Sequence, residues 1–579
     1  MLSQLLQGRV SRGEPPLWLE GQGGSLRTAV LRRTVVLALL IAIGFAVYGL
    51  YLNNPLIFDD VNLFHSEWLA RAAIAPWELG SRGLPYFTLG WVETQFGSLP
   101  AHRLVGLAIH ILVAFQLYRL LEELLQADRG LSPGTALAGT GDGIVAALVA
   151  LAFVAHPVAV YGAAYLVQRT TVLAALFTLL CLRCLLQGIR GEQSTASAAI
   201  RAAGWASLAI LSKEHAIVMP FAALALLVFV NGKPMSFLKL MGSFLALCLP
   251  AMMLAMRRSS HAFGRAHEPG LQELGKEVWG LPSLAGPYQT WLFSASTQAE
   301  LYLRYAGQWL FPDTRQMSID LRVDFLRDWN HSSAWLALSL FAAVPVTALV
   351  LAMWTRRCKL LAFSLSFTAG LFVVELATVR LQEPFVLYRS YLWAVGYAAL
   401  AAAGLRHLNR KALLLAFAAI IPVLSIQSAD RLESMRSRLA LWEDAAEKLP
   451  KLEIAGAARI FFNRGRARFF AGDVIGAKSD IDQAIRLNPT HGPYRISRAV
   501  TLLRMGQPTD ALDELDIARQ SIPQSADLYY TRFLALTALE RTTEAEASLE
   551  LAALHGSFSA KQRIAARRSS DGIATVEMQ

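Results

Sequence analysis

The sequence predicts an all-α protein in two parts: a polytopic membrane helical bundle of about eleven spans, then a C-terminal α-solenoid. Three observations predict it. Hydrophobic residues fill 54% of the 579 positions and charged residues only 17%, with mean hydropathy +0.40, more apolar than a water-soluble chain of this length. The apolar residues gather in uncharged runs such as Thr34–Leu52 and Leu360–Val374, which reach or approach bilayer-spanning length. From residue 458 to 557 the pattern changes to small and aliphatic positions recurring every 34 residues.

Residues 1–33 carry Arg9, Arg12, Arg27, Arg32 and Arg33 ahead of the first apolar run, so they read as a cytoplasmic segment before a retained span, not as a cleavable signal peptide. The membrane domain, 34–428, has expected spans near 34–52, 102–122, 143–160, 170–187, 199–212, 215–231, 236–256, 334–354, 359–378, 388–405 and 411–428. Residues 299–312 are apolar but short and contain Arg304. If they crossed, the basic clusters Thr355–Lys359 and Arg406–Lys411 would face the translocated side, so an interfacial or re-entrant helix is expected. An odd number of spans puts the chain ends on opposite sides, and the solenoid outside the cytoplasm.

That threading makes outer loops of residues 53–101, His156–Arg169, Lys213–His215 and 379–390, with a longer outer segment, 257–333, expected to hug the interface. Residues 429–457 link the last span to the repeats and include the helical run LWEDAAEKL. In the repeats, Ala477, Ala511 and Ala545 are in register, as are Ile481, Leu515 and Leu549, and Ala484, Ala518 and Ala552. Gly472 and Gly506 mark the internal turns, and Pro489 and Pro523 close two units. This is the tetratricopeptide (TPR) pattern, in which small residues let paired helices approach closely. About three units fit, followed by a basic tail, 558–579, with Lys561, Arg563, Arg567 and Arg568, expected to be mobile.

The net charge of +11 is explained by Arg and Lys flanking the apolar runs, so no nucleic-acid partner is expected. Cys181, Cys184, Cys248 and Cys358 all lie in or beside spans, which argues for packing over a disulfide framework or a metal site. There is no P-loop, HExxH or Rossmann glycine fingerprint.

Candidate chemistry starts at Asp59 and Asp60, just past the first span. Adjacent carboxylates at a membrane surface are costly unless paired or used; they suit a general base with a companion, and the plain alternative is a helix cap. Arg169, Lys213 and Arg389 recur at outer span ends, against the orientation bias. A lipid-carrier phosphate would account for them, as would snorkelling to headgroups. His156 precedes Pro157 where a helix should end, and either orders a phosphate or satisfies backbone groups. His110 reads as an interhelical hydrogen bond, and Glu383 as a partner for Arg389.

In order along the chain, FDD after span one, HPV…Y…R, KEH, LRY…LFP and an exit into TPRs resemble the transmembrane-and-TPR protein O-mannosyltransferases and their bacterial relatives, of the GT-C glycosyltransferase superfamily. The resemblance runs from about residue 53 to 557. It implies a GT-C-like bundle, a polyprenyl-phosphate-linked sugar as donor, and an active site on the extracytoplasmic face of a bacterial inner membrane. It also implies a catalytic carboxylate at Asp59 or Asp60, carrier-phosphate contacts near Arg169, Lys213 and His215, and a protein or peptide acceptor held by the repeats. Arg389 in EPFVLYRSYLWAVG departs from the family's ERYLYLP-like segment, and Arg495 stands where the repeat usually has a bulky residue. A divalent metal is an option that the residues leave open. The competing expectation is a non-catalytic, membrane-anchored TPR scaffold for envelope or pilus assembly. A transferase acting on a lipid or glycan is a third, which the repeats disfavour.

Overall fold

The computed structural model describes residues 17–75, 78, 82–130, 141–230, 234–259, 287–325, 332–355 and 358–566. These are overwhelmingly helical, with an isolated antiparallel bridge joining Leu321 to Phe385. Among the described residues, seven helices are long and apolar enough to cross a membrane: Ala29–Tyr51, Leu99–Asp128, Leu166–Ile189, Pro234–Arg257, Trp335–Thr355, Lys359–Ala377 and Arg410–Ser434. Counting the bent pair Gly141–Val154 and Pro157–Ala163 as one span gives eight.

The expected eleven are therefore reduced, for local reasons. The 143–160 segment breaks by 62° after Val154, where Pro157 cannot continue the hydrogen-bond ladder. The 215–231 segment is a four-residue helix, Met219–Ala222, between two 3-10 stretches. The 388–405 segment opens with a 3-10 turn and leaves only the 12-residue helix Ala394–Leu405. Residues 199–212 lie in Thr195–Ser212, which is not among the seven. The 299–312 segment is the end of helix Pro287–Leu310, also not among them. Residues 17–33 belong to the first long helix, Leu17–Tyr48. Residues 260–286, in the expected interface-hugging stretch, and 567–579, in the tail expected to be mobile, fall outside the described residues.

Close helix approach depends on small residues. A Cβ on Gly396 would lie 1.9 Å from Thr368 Oγ1, and one on Gly162 would lie 2.6 Å from the Tyr391 ring. Only glycine fits these crossings, where van der Waals packing, not water exclusion, holds apolar helices together. Tyr305 and Phe372 pack edge-on against Trp393, each with ring centroids 4.9 Å away. His110 bridges helices: Nδ1 is 2.6 Å from the Tyr391 hydroxyl and Nε2 is 3.3 Å from the Val154 carbonyl. All four cysteines are free, and three are buried.

Charge sorts the bundle into two ends. At one end Glu122 meets Arg32, Glu123 accepts from Arg183 at 2.7 Å, and Asp128 pairs with Arg406. At the other lie Asp59, Arg103, Glu375 and Arg389, each beyond or near the opposite terminus of the same helices.

The C-terminal part joins this second end. Helix Arg438–Glu447 leads through Gly456 into three stacked helix pairs: Ala457–Phe470 with Val474–Leu487, Gly492–Arg504 with Pro508–Ser521, and Ala526–Ala538 with Thr542–Leu554. Ala477, Ala511, Ala484, Ala518 and Ala552 are fully buried, as is Leu515, while Ala545, Ile481 and Leu549 are nearly so. Each buried Ile or Leu contributes roughly 1.5–3 kcal/mol by leaving water. The turns inside the pairs need a left-handed residue. Gly472 (φ +90°) and Gly506 (φ +75°) supply it, but Glu540 (φ +59°) occupies the equivalent place in the third pair.

Candidate functional site

The second end brings together Asp59, Lys213, His215 and Arg389 of the sequence-predicted residues. Asp59 begins a short helix, Asp59–Phe64, right after Phe58, whose backbone (φ 50°, ψ −123°) is strained for an aromatic residue. The corner is held from outside: the Phe58 ring lies 6.2 Å from that of Tyr165 and 5.8 Å from that of Trp442. The Asp59 amide donates to the Tyr165 hydroxyl at 3.1 Å. Asp59 is exposed to solvent. Burial and the nearby Glu383 carboxylate raise its pKa, against the pull of Tyr165, Arg459 and Lys213.

Lys213 is one of two cations, with Arg459, whose charge acts on Asp59. It caps the C-terminal end of Thr195–Ser212, is 6% exposed, and has its ammonium 6.0 Å from the centre of the Tyr388 ring. Among the described residues no hydrogen bond or ion pair engages that ammonium. Burial, with Arg82, Arg389 and Arg380 nearby, pushes its pKa down to about 7 even though Glu214 pulls upward.

Behind Lys213 lies a buried charge network. Glu375, fully buried, sits with Oε1 3.3 Å from His215 Nε2, and its Oε2 accepts from Arg380 Nε at 3.0 Å and Arg389 Nη1 at 3.4 Å. Arg389 also donates to Glu383, through Nη1 to its carbonyl (3.1 Å) and Nη2 to its carboxylate (3.4 Å). Glu383 accepts from the Tyr388 hydroxyl at 3.0 Å. Burial alone would raise the Glu383 pKa, but Arg389 and Arg459 hold it below the ordinary range. Arg82 Nε donates to Glu214 at 3.0 Å. His215, its imidazole held against Glu375, and Arg389, its charge matched by Glu375 and Glu383, are thus placed beside Lys213.

Three predicted residues lie elsewhere or face inward. Asp60 is fully buried, with Oδ1 accepting from the Val167 amide at 2.8 Å and Oδ2 from the Leu166 amide at 3.3 Å. It caps the turn that starts the Leu166–Ile189 span. Burial raises its pKa to about 7, against Val167 and Arg103. Both of its carboxylate oxygens are engaged by backbone amides. Arg169 donates to the carbonyls of Thr88 (3.2 Å) and His102 (2.7 Å), so it ties the loop helix Gly83–Phe96 to the Leu99–Asp128 helix and does not face Lys213. His156 sits at the helix break, its Nδ1 accepting from the Val158 amide at 3.2 Å and its ring stacked on Trp309 at 4.6 Å. It lines a separate, mostly apolar cavity of about 540 Å³ with Phe153, Tyr397 and Gln427.

Sequence reasoning missed Glu375, Arg380, Arg82 and Arg459, and it noted Glu214 only as part of the KEH motif. A carboxylate inside the apolar run LFVVELATVR was the available signal for Glu375, since an acid there needs a partner. Among the described residues no group of three or more His, Cys, Asp or Glu is placed to hold a metal ion. No protein-family model matches this sequence, and no curated protein matches it either.

Proposed function

We propose that this chain is an integral-membrane glycosyltransferase of GT-C type, moving a sugar from a polyprenyl-phosphate carrier to a hydroxyl acceptor on a protein at the extracytoplasmic face. The observation that carries the proposal is the pairing of an accessible carboxylate, Asp59, with an ammonium, Lys213, that has no counter-ion in contact among the described residues. A buried cation without a partner is costly, and an incoming phosphate removes that cost. In the reaction the acceptor oxygen attacks the sugar's anomeric carbon, the bond to the carrier phosphate breaks, and Asp59 takes the hydroxyl proton. Lys213, backed by Arg389, stabilises the charge left on the phosphate. The helix pairs, read as TPR units, hold the acceptor.

A second reading, a membrane-anchored TPR scaffold, draws support from an aromatic groove on the array, lined by Phe462, Phe469, Phe470 and Tyr530. The two separate in membranes supplied with a polyprenyl-phospho-sugar. Transfer should fall by two or more orders of magnitude in Asp59→Asn and in Lys213→Ala. Full transfer in both variants removes the enzyme reading. A scaffold tolerates both changes and fails on deletion of residues 458–579.

A further inference from the structure

The array does more than hang beside the site. Its first helix, Ala457–Phe470, sends Arg459 back into the bundle. The guanidinium stands 4.9 Å from the centre of the Phe58 ring, with Nη2 3.5 Å from Glu383 Oε1 and Nε 3.7 Å from Asp320 Oδ2. Glu383 is therefore shared between Arg389 of the membrane part and Arg459 of the array. The ring under Arg459 belongs to the strained residue that immediately precedes Asp59.

The approach of the array is set by close packing. Gly456 (φ +81°) begins the helix, and a Cβ there would lie 2.1 Å from Arg322 Nη1. Arg322 is itself pinned, donating to the Gln382 carbonyl at 2.9 Å and to Asp320 at 2.7 Å. Trp442, in the linking helix Arg438–Glu447, also packs against Phe58, with ring centroids 5.8 Å apart.

We propose that Arg459 is a positioning residue of the candidate site, so that the first helix of the array forms a wall of the pocket over Asp59 and the site is complete only with the array docked. Its guanidinium holds the Phe58 corner from above and fixes the Glu383 carboxylate beside Asp59. The charged and titratable groups acting on Asp59 include Glu383, Tyr165, Arg459 and Lys213, together with the neighbouring Asp60 and the Tyr388 phenol, and Arg459 is one of the two cations among them. The role rests on Asp59 being the site's carboxylate, and the test separates that premise from the role itself.

The test uses the purified full-length chain in detergent, as wild type, Arg459→Gln, Arg459→Lys and, as a control, Arg541→Ala, an exposed array arginine paired with Glu544. Carbodiimide coupling of glycinamide, followed by mass spectrometry from acid to neutral pH, reports protonation of Asp59 without any need for activity. The pH of half-labelling should rise by roughly 0.5–1 unit in Arg459→Gln, less than the one to three units of a directly paired acid. It should return to the wild-type value in Arg459→Lys and stay there in Arg541→Ala. An Asp59 titration that is the same in Arg459→Gln and wild type overturns the proposal. In the transfer assay the acid limb of the rate profile should move upward by the same amount, and a limb that stays fixed also overturns it. Loss of transfer in wild type itself defeats the glycosyltransferase reading, while the labelling still decides the role of Arg459.

Discussion

Replacing Lys213 by methionine tests how the site stores electrostatic cost. In the unfolded chain the ammonium keeps its proton up to about pH 10.4. In the folded protein it keeps it only up to about 7. Between those values the unfolded state binds one more proton, so the stability of the folded form rises with pH across that window. The cost is fully present below the folded pKa and gone above the unfolded one. At 1.36 kcal/mol per pH unit, a depression of roughly 3.5 units corresponds to about 5 kcal/mol as a ceiling. Relaxation and water at the amine bring the expected value to about 2–3 kcal/mol. Methionine fills a similar volume without charge, so Lys213→Met should melt higher than wild type at pH 6, and the gap should shrink steadily toward pH 10. Thermal unfolding in detergent, followed by intrinsic tryptophan fluorescence at several pH values, reads this directly. A gap that is constant with pH, or that widens as pH rises, refutes the argument that Lys213 is a buried, uncompensated cation.

Two further substitutions follow from the packing. Glu375→Gln removes the carboxylate shared by His215, Arg380 and Arg389 and leaves the buried Arg389 and the half-buried Arg380 short of charge. The loss should be about 3–5 kcal/mol, seen as a fall in melting temperature of roughly 5–10 °C; a shift below about 1 °C contradicts the network. Glu540→Gly should relieve the left-handed strain at the third turn, worth about 1–2 kcal/mol, less the roughly 0.5–1 kcal/mol of freedom glycine gains when unfolded. Amide hydrogen exchange around Ala538–Thr542 should slow about two- to fivefold, and unchanged or faster exchange rejects the argument.

The helical class and the long spans were legible because an uncharged run of twenty residues has few other fates. Pro157 marked where the helix before it should end, and the structure bends there by 62°. Hydropathy averages length but not direction, which is why the 3-10 stretches around Met219 were not visible. Asp59 and Asp60 were found together because adjacency is a sequence property. Their division, one accessible and one capping Leu166 and Val167, depends on a turn more than a hundred residues away. The same holds for Arg169: its position at a span end suggested a phosphate ligand, whereas the carbonyls of Thr88 and His102 occupy it. Arg459 lay inside a segment read only for its repeat register, and nothing local to it points to Glu383.

The matching of charges at the Arg32 end of the bundle has a consequence for biosynthesis. Asp128 is joined to Arg406 across 278 residues of chain. At ribosomal speeds of about 5–20 residues per second, the carboxylate waits roughly 14–56 s for that guanidinium to be made. During this interval the early helices reside in the bilayer without their late-arriving counterparts. A nascent chain halted before residue 406 is therefore an electrostatically unfinished object, of the kind that membrane quality control removes.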